Sequence, residues 1–438
     1  MKRLFFSLCA GAVGCALALQ FPPAADAKSK EKVLHSFGSG TDGVSPEAGL
    51  IDVNGTLYGT TGYGGTHCQG ASPCGTVFAL DAKTGAETVL YSFCSQKNCA
   101  DGQWPTANLI DVNGTLYGTT TSGGTVNCDV YGGFVGCGTV FKLDVKTGAE
   151  TVVHSFGSGA DGAEPYAGLI DVNGTLYGTT AGGGANCRSN GACGTVFALD
   201  PNTGAETVFY SFCAQRKGKK KCSDGSNPVA GLIDMKGSLY GTTQAGGAYR
   251  CLGYGCGTVF ALDPNTGAET VLHSFGSSGT DGTGPSAGLI DVKSTLYGTT
   301  SQGGSSANQE YCVYGCGTVF SLDPGTGVET VLYAFCSRRN MESRQHCKDG
   351  QTPNAGLIDV KGTLYGTTLN GGAHGWGILF ALDPNAGAET VLHAFGSGSD
   401  GAAPNGATLI DVTGALYGTT AGGGVNGDGD GTVFALRP

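Results

Sequence analysis

An all-β fold, built from seven four-stranded units closed into a ring, is what the sequence predicts, and three features predict it. One dodecamer, "LIDVNGTLYGTT" from Leu50 to Thr61, returns at Leu109 and Leu169 and, with small edits, at Leu232, Leu289, Leu357 and Leu409. Each of the first six copies is followed by two further apolar segments, close to "GTVFALD" and "TGAETVLYSF", and successive "LYGTT" copies start 52 to 68 residues apart. At the ends, a lone "KVLHSF" (Lys32 to Phe37) precedes the first dodecamer and "GTVFALRP" closes the chain. These are complementary pieces of one unit. A small sheet cannot bury both faces alone, so copies stack around an axis. Joining the terminal pieces completes the last unit and gives a single seven-bladed β-propeller. An open solenoid would call for polar caps, and none is seen.

The N-terminus comes first. Lys2 and Arg3 precede an apolar run from Leu4 to Leu19 and then Ala25-Asp26-Ala27, the pattern of a secretory leader cleaved after residue 27. The run is short for a membrane span; a lipid anchor at Cys15 is the lesser alternative. The mature chain would carry 22 basic against 34 acidic residues, which disfavours generic nucleic-acid binding. No membrane span is expected after cleavage, no anchor or sorting segment is expected after the last strand, and a secreted or periplasmic monomer is expected. Glycine supplies 80 of 438 residues without a collagen period, and enough β-branched and aromatic residues remain to build a core.

Within a unit, each segment is short, rich in Val, Leu, Thr, Tyr and Phe, and bounded by Gly, Asn, Asp or Pro, which reads as strand. "V-N-G-T" signals a two-residue hairpin, and "D-P-N-T-G" a turn. The blades are therefore residues 48–93, 107–156, 167–212, 230–275, 287–335, 355–395 and 407–438, the last completed by 33–37. Antiparallel alternation puts the second-to-third-strand loops and the interblade loops on one face. Repeated residues, namely Asp52 and Asp42 with their copies and the "GTT" threonines, read as turn formers and interblade hydrogen-bonding groups.

Sixteen cysteines remain in the mature chain, and they occur as couples or not at all. Second-to-third loops hold Cys68 and Cys74, Cys128 and Cys137, Cys187 and Cys193, Cys251 and Cys256, and Cys312 and Cys316; interblade loops hold Cys94 and Cys99, Cys213 and Cys222, and Cys336 and Cys347. In an exported chain that pattern predicts eight local disulfides. Zinc competes, but no Cys-x-x-Cys pair occurs. At one outer-strand position stand His35, Tyr91, His154, Tyr210, His273, Tyr333 and His393, tyrosine with the cysteine loops and histidine with the glycine loops. On separate blades, such histidines should be structural.

"LYGTT..GG" followed by "GTVF.LD..TG.ET.L..F" resembles the GloVer (Gloeo/Verruco) tandem repeats of exported bacterial proteins, over nearly all of residues 32–438. The strand plan is also similar to kelch repeats. The resemblance implies a secreted or surface protein and brings no family-wide activity.

Function should sit where the copies differ, on the loop face. Aromatic residues differ there: Trp104, Tyr131, Phe134, Tyr166, Tyr249, Tyr254, Tyr311, Tyr314 and Trp376 could stack on sugars or anchor a protein, or pack over glycine-rich loops. Basic residues differ too: Arg216, Lys217, Lys219, Lys220 and Lys221 in one loop, and Arg338, Arg339, Arg344 and His346 in another, could dock an anionic polymer or simply be solvated. Asn426, Asp428 and Asp430 have the alternate spacing that opens a calcium loop, although Arg437 stands where the bidentate acid belongs; a plain turn is the alternative, and no other cofactor is expected. No nucleophile elbow, His-Glu-x-x-His or phosphate-cradling segment is present. The expectation is a noncatalytic recognition or scaffold propeller for a glycan, an anionic surface polymer or a protein. The alternative is a carbohydrate-active hydrolase or lyase, which requires unlike acids such as Glu47, Glu164, Glu310 or Glu342 to converge near the loop-face centre.

Overall fold

Seven four-stranded antiparallel sheets form the structure. It is a computed structural model and describes residues 31–68, 73–126, 128, 136–157, 159–187, 192–215, 222–251, 253–304, 312–338, 347–406, 408–426 and 429–438. Blade 1 runs from an innermost strand Ile51–Val53 through Thr56–Thr61 and Thr76–Asp81 to an outermost strand Glu87–Ser92. The other blades repeat that order. The hairpin between the first two strands places Asn54 and Gly55 at φ 57° and 87°, the type I′ geometry the Asn-Gly pair favours. Lys293 and Ser294 adopt it as well, held by the Asp291 carboxylate accepting from the Ser294 N–H at 2.7 Å. Asp52 does the same for Gly55 at 2.9 Å. The repeated aspartate is a turn former, as its position implied.

The ring closes between the termini. Lys32–Ser36 lies antiparallel to Thr432–Leu436, with Val33 opposite Phe434 and Ser36 opposite Thr432. A one-residue register shift interrupts this pairing between Val33 and His35, and the same shift recurs between third and fourth strands elsewhere, as at Val77/Phe78 in blade 1. The sutured blade is therefore equivalent to the continuous ones.

Packing explains the repeated "LYGTT". In each blade the third-strand phenylalanine lies across the glycine of the second strand; a Cβ on Gly241 would sit 2.6 Å from Phe260 Cζ and 2.9 Å from Leu232 Cδ2. That phenylalanine then meets edge-on the phenylalanine ending the neighbouring blade's outer strand, as in Phe212–Phe260 and Phe93–Phe141, with centroids 5.1 and 5.0 Å apart. Phe37–Phe78, at 5.0 Å, makes the same contact across the seam. Each core cluster spans two blades: Phe37 and Val433 share one with Leu50, Leu57 and Phe78. The threonines divide the remaining work. In five blades the first of the "TT" pair reaches the next blade, as Thr179 Oγ1 donating to the Ala230 carbonyl at 3.1 Å and Thr419 to Ala48 at 2.7 Å across the seam; Thr60 and Thr367 make no such bond. The second joins strands two and three, as in Thr180–Thr195 at 2.8 Å.

All eight cysteine couples are bonded as the spacing predicts, with Cα separations between 4.0 and 6.0 Å. Among the described residues no helix is long and apolar enough to cross a membrane. The proposed leader, residues 1–27, lies outside the described residues.

Gly241→Ala should destabilise the fold by about 1–3 kcal/mol, the usual range for overpacking a dense core, read from chemical or thermal unfolding. An unchanged midpoint would show that Phe260 does not need that glycine.

Candidate functional site: the central cavity of the loop face

Two sets of unlike residues need separating, one at the periphery and one at the axis. At the periphery, each outer strand carries the alternating His or Tyr, which meets the aspartate of the following interblade loop. Tyr91, Tyr210 and Tyr333 donate their hydroxyls to Asp101, Asp224 and Asp349 at 2.7–2.9 Å. His35, His154, His273 and His393 lie 2.9–3.5 Å from Asp42, Asp161, Asp281 and Asp400. The aspartate in turn accepts backbone N–H groups that shape the loop, such as Ser95 at Asp101. A glutamate from the next blade completes each station.

Three stations bring ligand atoms within 4.8 Å of one another: Glu31, His393 and Asp400; His154, Asp161 and Glu206; His273, Asp281 and Glu329. The tyrosine stations perform the same packing without a nitrogen ligand, so the histidines fit the structural role their distribution implied. Burial, reinforced by the neighbouring aspartate, pushes Glu31, Glu150, Glu206, Glu269 and Glu329 up to about 7. Glu87 and Glu389 also reach about 7, burial outweighing the opposing pull of His35 and Arg338 respectively. Arg338, expected as a docking residue, lies 3.0 Å from the Glu389 carboxylate and donates to its carbonyl at 2.7 Å. It is held by the blade.

At the axis the repeat is abandoned. The residue before each interblade proline is Ser45, Trp104, Glu164, Asn227, Gly284, Thr352 or Ala403, and all seven have φ between 54° and 63°. A non-glycine side chain in that region is strained by about 1–3 kcal/mol, and a following proline narrows its options further. The surroundings enforce it. Trp104 N–H donates to the Cys74 carbonyl of the preceding blade at 3.1 Å, and its own carbonyl accepts from Thr121 at 3.0 Å. Equivalent pairs hold Glu164 and Asn227. Short bridges such as Gln103–Ser122 and Val44–Tyr63 stitch the same segment to the end of the second strand.

The residue after each proline, Glu47, Thr106, Tyr166, Val229, Ser286, Asn354 or Asn405, lines a cavity of about 660 Å³ on the axis. Trp104, Asn108, Gln244 and Thr408 also line it, and the inner-strand isoleucines line its wall. The lining is lopsided. Blades 4 to 7 contribute amides and hydroxyls that bond to one another: Asn354 donates to Asn405 at 2.8 Å, Asn227 to Gln244 at 2.8 Å, and Gln244 to Ser286 at 3.3 Å. Blades 1 to 3 contribute Glu47 and the rings of Trp104 and Tyr166, with Thr106 and Asn108 beside them. Trp104 stands 6.1 Å from Tyr63 and 6.0 Å, edge-on, from Tyr166. Burial raises Glu47, with hydrogen bonds from Trp104 and Ser45 opposing, and burial raises Glu164. Tyr166 is pushed up to about 12, by burial first and then by the charges of Glu164 and Glu47. Both carboxyls act on Tyr166, and of the two only Glu47 lines the cavity.

Of the residues singled out in the sequence, Trp104, Tyr166 and Glu47 line this cavity, and Glu164 does not. Tyr249, Tyr254, Tyr314 and Trp376 lie on second-to-third-strand loops, 43–82 % exposed, and do not line the cavity. Trp376 packs over Gly396, whose Cβ would lie 2.5 Å from the indole. Asn426 uses its amide nitrogen on the carbonyls of Ser36 and Phe37, at 3.0 and 2.9 Å, tying the last loop to the first strand; the Asp430 carbonyl accepts from Ser45. Tyr131, Phe134, Tyr311, Arg216, Lys217, Lys219, Lys220, Lys221, Arg339, Arg344, His346, Glu310, Glu342 and Asp428 lie outside the described residues. Tyr63 and the residues after the prolines, Glu47 and Tyr166 apart, escaped notice. The signal was present in seven "P-x-A-x-L"-like segments whose x alone varies.

The defining pattern of the Gloeobacter/Verrucomicrobia repeat matches residues 21–129, 130–346 and 308–438. The chain belongs to the Gloeobacter/Verrucomicrobia repeat family. No curated protein sequence matches it. In structure, this repeat propeller is similar to an oligogalacturonate lyase in complex with manganese (11 % identity, 94 % of this chain and 98 % of that one, TM-score 0.51). It is similar to an oligogalacturonate lyase from Vibrio parahaemolyticus (8 %, 94 % of each chain, 0.51) and to the extracellular domain of a one-component system from B. thetaiotaomicron (10 %, 92 % of this chain and 40 % of that one, 0.52). At these identities the likeness shows the fold alone. Eight disulfides fit an extracellular or other oxidising setting.

The peripheral glutamates give the repeat propeller a pH-dependent stability. Their folded pKa values near 7 exceed the ordinary 4.5, so their contribution is fully present below pH 4.5 and is lost as the pH rises through 7. The melting temperature should fall between pH 5 and pH 7.5, and Glu269→Gln should flatten part of that slope. A melting temperature that rises over this interval would show that the stations hold their acids ionised.

Proposed function

We propose that this chain is an exported, noncatalytic recognition protein that takes a glycan in the central cavity of its loop face. One observation carries the reading: sevenfold copying is strict in the strands and turns and lapses around the axis, where the residue after each proline lines the cavity and varies around the ring and the residue before it, Trp104 included, is held at a positive φ. The chain uses glycine at positive φ in many other places and only once, at Gly284, in this ring. Varied side chains around a cavity, with the strained Trp104 among them, are the mark of a binding surface. The chemistry suits a sugar. Trp104 and Tyr166 offer ring faces and edges for C–H surfaces, and the amide and hydroxyl arc supplies paired donors and acceptors for hydroxyl groups. The leader and the disulfides agree with a place outside the cytoplasm, where surface polysaccharides are met.

A second reading has its own support. Glu47 and Glu164 both act on Tyr166 and both have raised pKa values, as a hydrolase or lyase would use them. Products released from a bound glycan by the wild type and lost in Glu47→Gln and Glu164→Gln would favour it. An anionic polymer finds no lysine, arginine or histidine among the described residues that line the cavity.

The mature chain on a glycan array should give a hit. Trp104→Ala and Tyr166→Ala should each weaken it by roughly tenfold or more, as central aromatic anchors do, with little change in melting temperature. Trp376→Ala should leave it intact. An array without hits, or equal binding by Trp104→Ala, would overturn the reading.

A further inference from the structure

Among the peripheral stations, the one between blades 4 and 5 leaves the most polar atoms unpaired. His273 stands on the outer strand Glu269–Ser274, Asp281 on the loop between the blades, and Glu329 opens the outer strand Glu329–Ala334 of blade 5. Their ligand atoms lie within 4.8 Å of one another. His273 Nε2, Asp281 Oδ1 and Glu329 Oε1 are all buried and without a hydrogen-bond partner among the described residues. The Asp281 side chain is 3 % exposed, and the histidine nitrogen stands 3.5 Å from its carboxylate, too far for a good hydrogen bond. The other histidine–aspartate pairs close to 2.9–3.3 Å. At the Tyr210 station the hydroxyl joins both acids, at 2.9 Å to Asp224 and 3.4 Å to Glu269. A buried nitrogen and two carboxylate oxygens left unpaired in one place are costly unless something binds them.

We propose that His273, Asp281 and Glu329 bind a divalent transition-metal ion, zinc being the best match. An imidazole beside two carboxylates favours such an ion over calcium or magnesium, which take oxygen donors, and the two carboxylates balance its charge. Zinc–ligand bonds of about 2.1 Å put donors about 3.4 Å apart in a tetrahedron, close to the 3.5 Å between His273 and the Asp281 carboxylate. Two of the ligands are already oriented. Ser277 donates its N–H and its hydroxyl to Asp281 Oδ2, both at 2.9 Å, which leaves Oδ1 for the ion; the His273 ring is held edge-on to Phe275 at 4.8 Å. The role is structural, as the distribution of the histidines implied. Where tyrosine stands, the following loop is closed by a disulfide, Cys94–Cys99, Cys213–Cys222 or Cys336–Cys347. The loop after His273 has no cysteine. The ion ties that loop to blades 4 and 5, as the covalent bonds brace the others.

The purified chain, kept oxidised so that no thiol competes for metal and stripped with a chelator, would be titrated calorimetrically with zinc and, separately, with calcium. His273→Tyr and Glu329→Gln would be titrated beside it. His273→Tyr installs the residue that blades 1, 3 and 5 carry at this position and should fold. The wild type should bind one equivalent of zinc that both variants lose or bind at least roughly tenfold more weakly, and calcium should not compete for it. Zinc at roughly a hundredfold excess over its Kd should raise the melting temperature of the wild type by a few degrees and leave both variants unmoved. Glu329→Gln keeps the shape of the station and decides the matter should the tyrosine variant not fold. No zinc uptake by the wild type, uptake undiminished in Glu329→Gln, or displacement of zinc by calcium overturns the proposal.

Discussion

Two phenylalanines from neighbouring blades, meeting over a glycine, are the contact on which the rest of the structure depends. The third-strand ring can reach its partner because no Cβ stands beneath it at Gly59, Gly118 or their equivalents. Each blade thereby finishes the core of the next, and none has a core of its own. Burying such a ring is worth about 1.5–3 kcal/mol, and an unclosed ring would leave one blade's share exposed. That is why the chain gives up a continuous seventh blade for one assembled from its two ends. The suture repeats every feature of an ordinary interface: the edge-on pair Phe37–Phe78, the register shift at Val33/His35 and the Thr419–Ala48 hydrogen bond.

The same neighbour-dependence sets the chemistry at the periphery. An outer strand has no fifth partner, and its polar side chains are satisfied by the next blade's loop and glutamate. His and Tyr serve equally well because each offers an edge to the phenylalanine two residues on, at 4.7–5.2 Å, and a polar tip to the aspartate. Burying acids in this way is tolerable when protons or histidines offset the charge. The periphery is consequently sensitive to pH, while the turns, whose exposed aspartates such as Asp81 and Asp263 are held below the ordinary range by backbone and threonine hydrogen bonds, are stabilised in their ionised form.

With rim and core occupied by copied residues, chemical individuality is confined to the axis and the outer loops. The axial segments are held by backbone hydrogen bonds to the preceding blade and to their own second strand, so their side chains are free to differ. Glu47 and the rings from blades 1 to 3 face amides and hydroxyls from blades 4 to 7. A sevenfold scaffold thus presents an asymmetric cavity.

Strands, hairpins, disulfide couples and the seam were legible in the sequence because each follows from a local pattern copied seven times: alternation, Asn-Gly turns, cysteines closing their own loops, and complementary ends. The pairing of histidine with glycine loops was legible too, though not its partner acid one blade away. Convergence of residues 47, 104 and 166 on one cavity was hidden, because distance from the axis is set by how blades tilt and close and has no period along the chain. The residue before a proline reads as extended, so the left-handed backbone of Trp104 was equally invisible. Local copying fixed the blade; only ring closure decided which of its unlike residues would face one another across the axis.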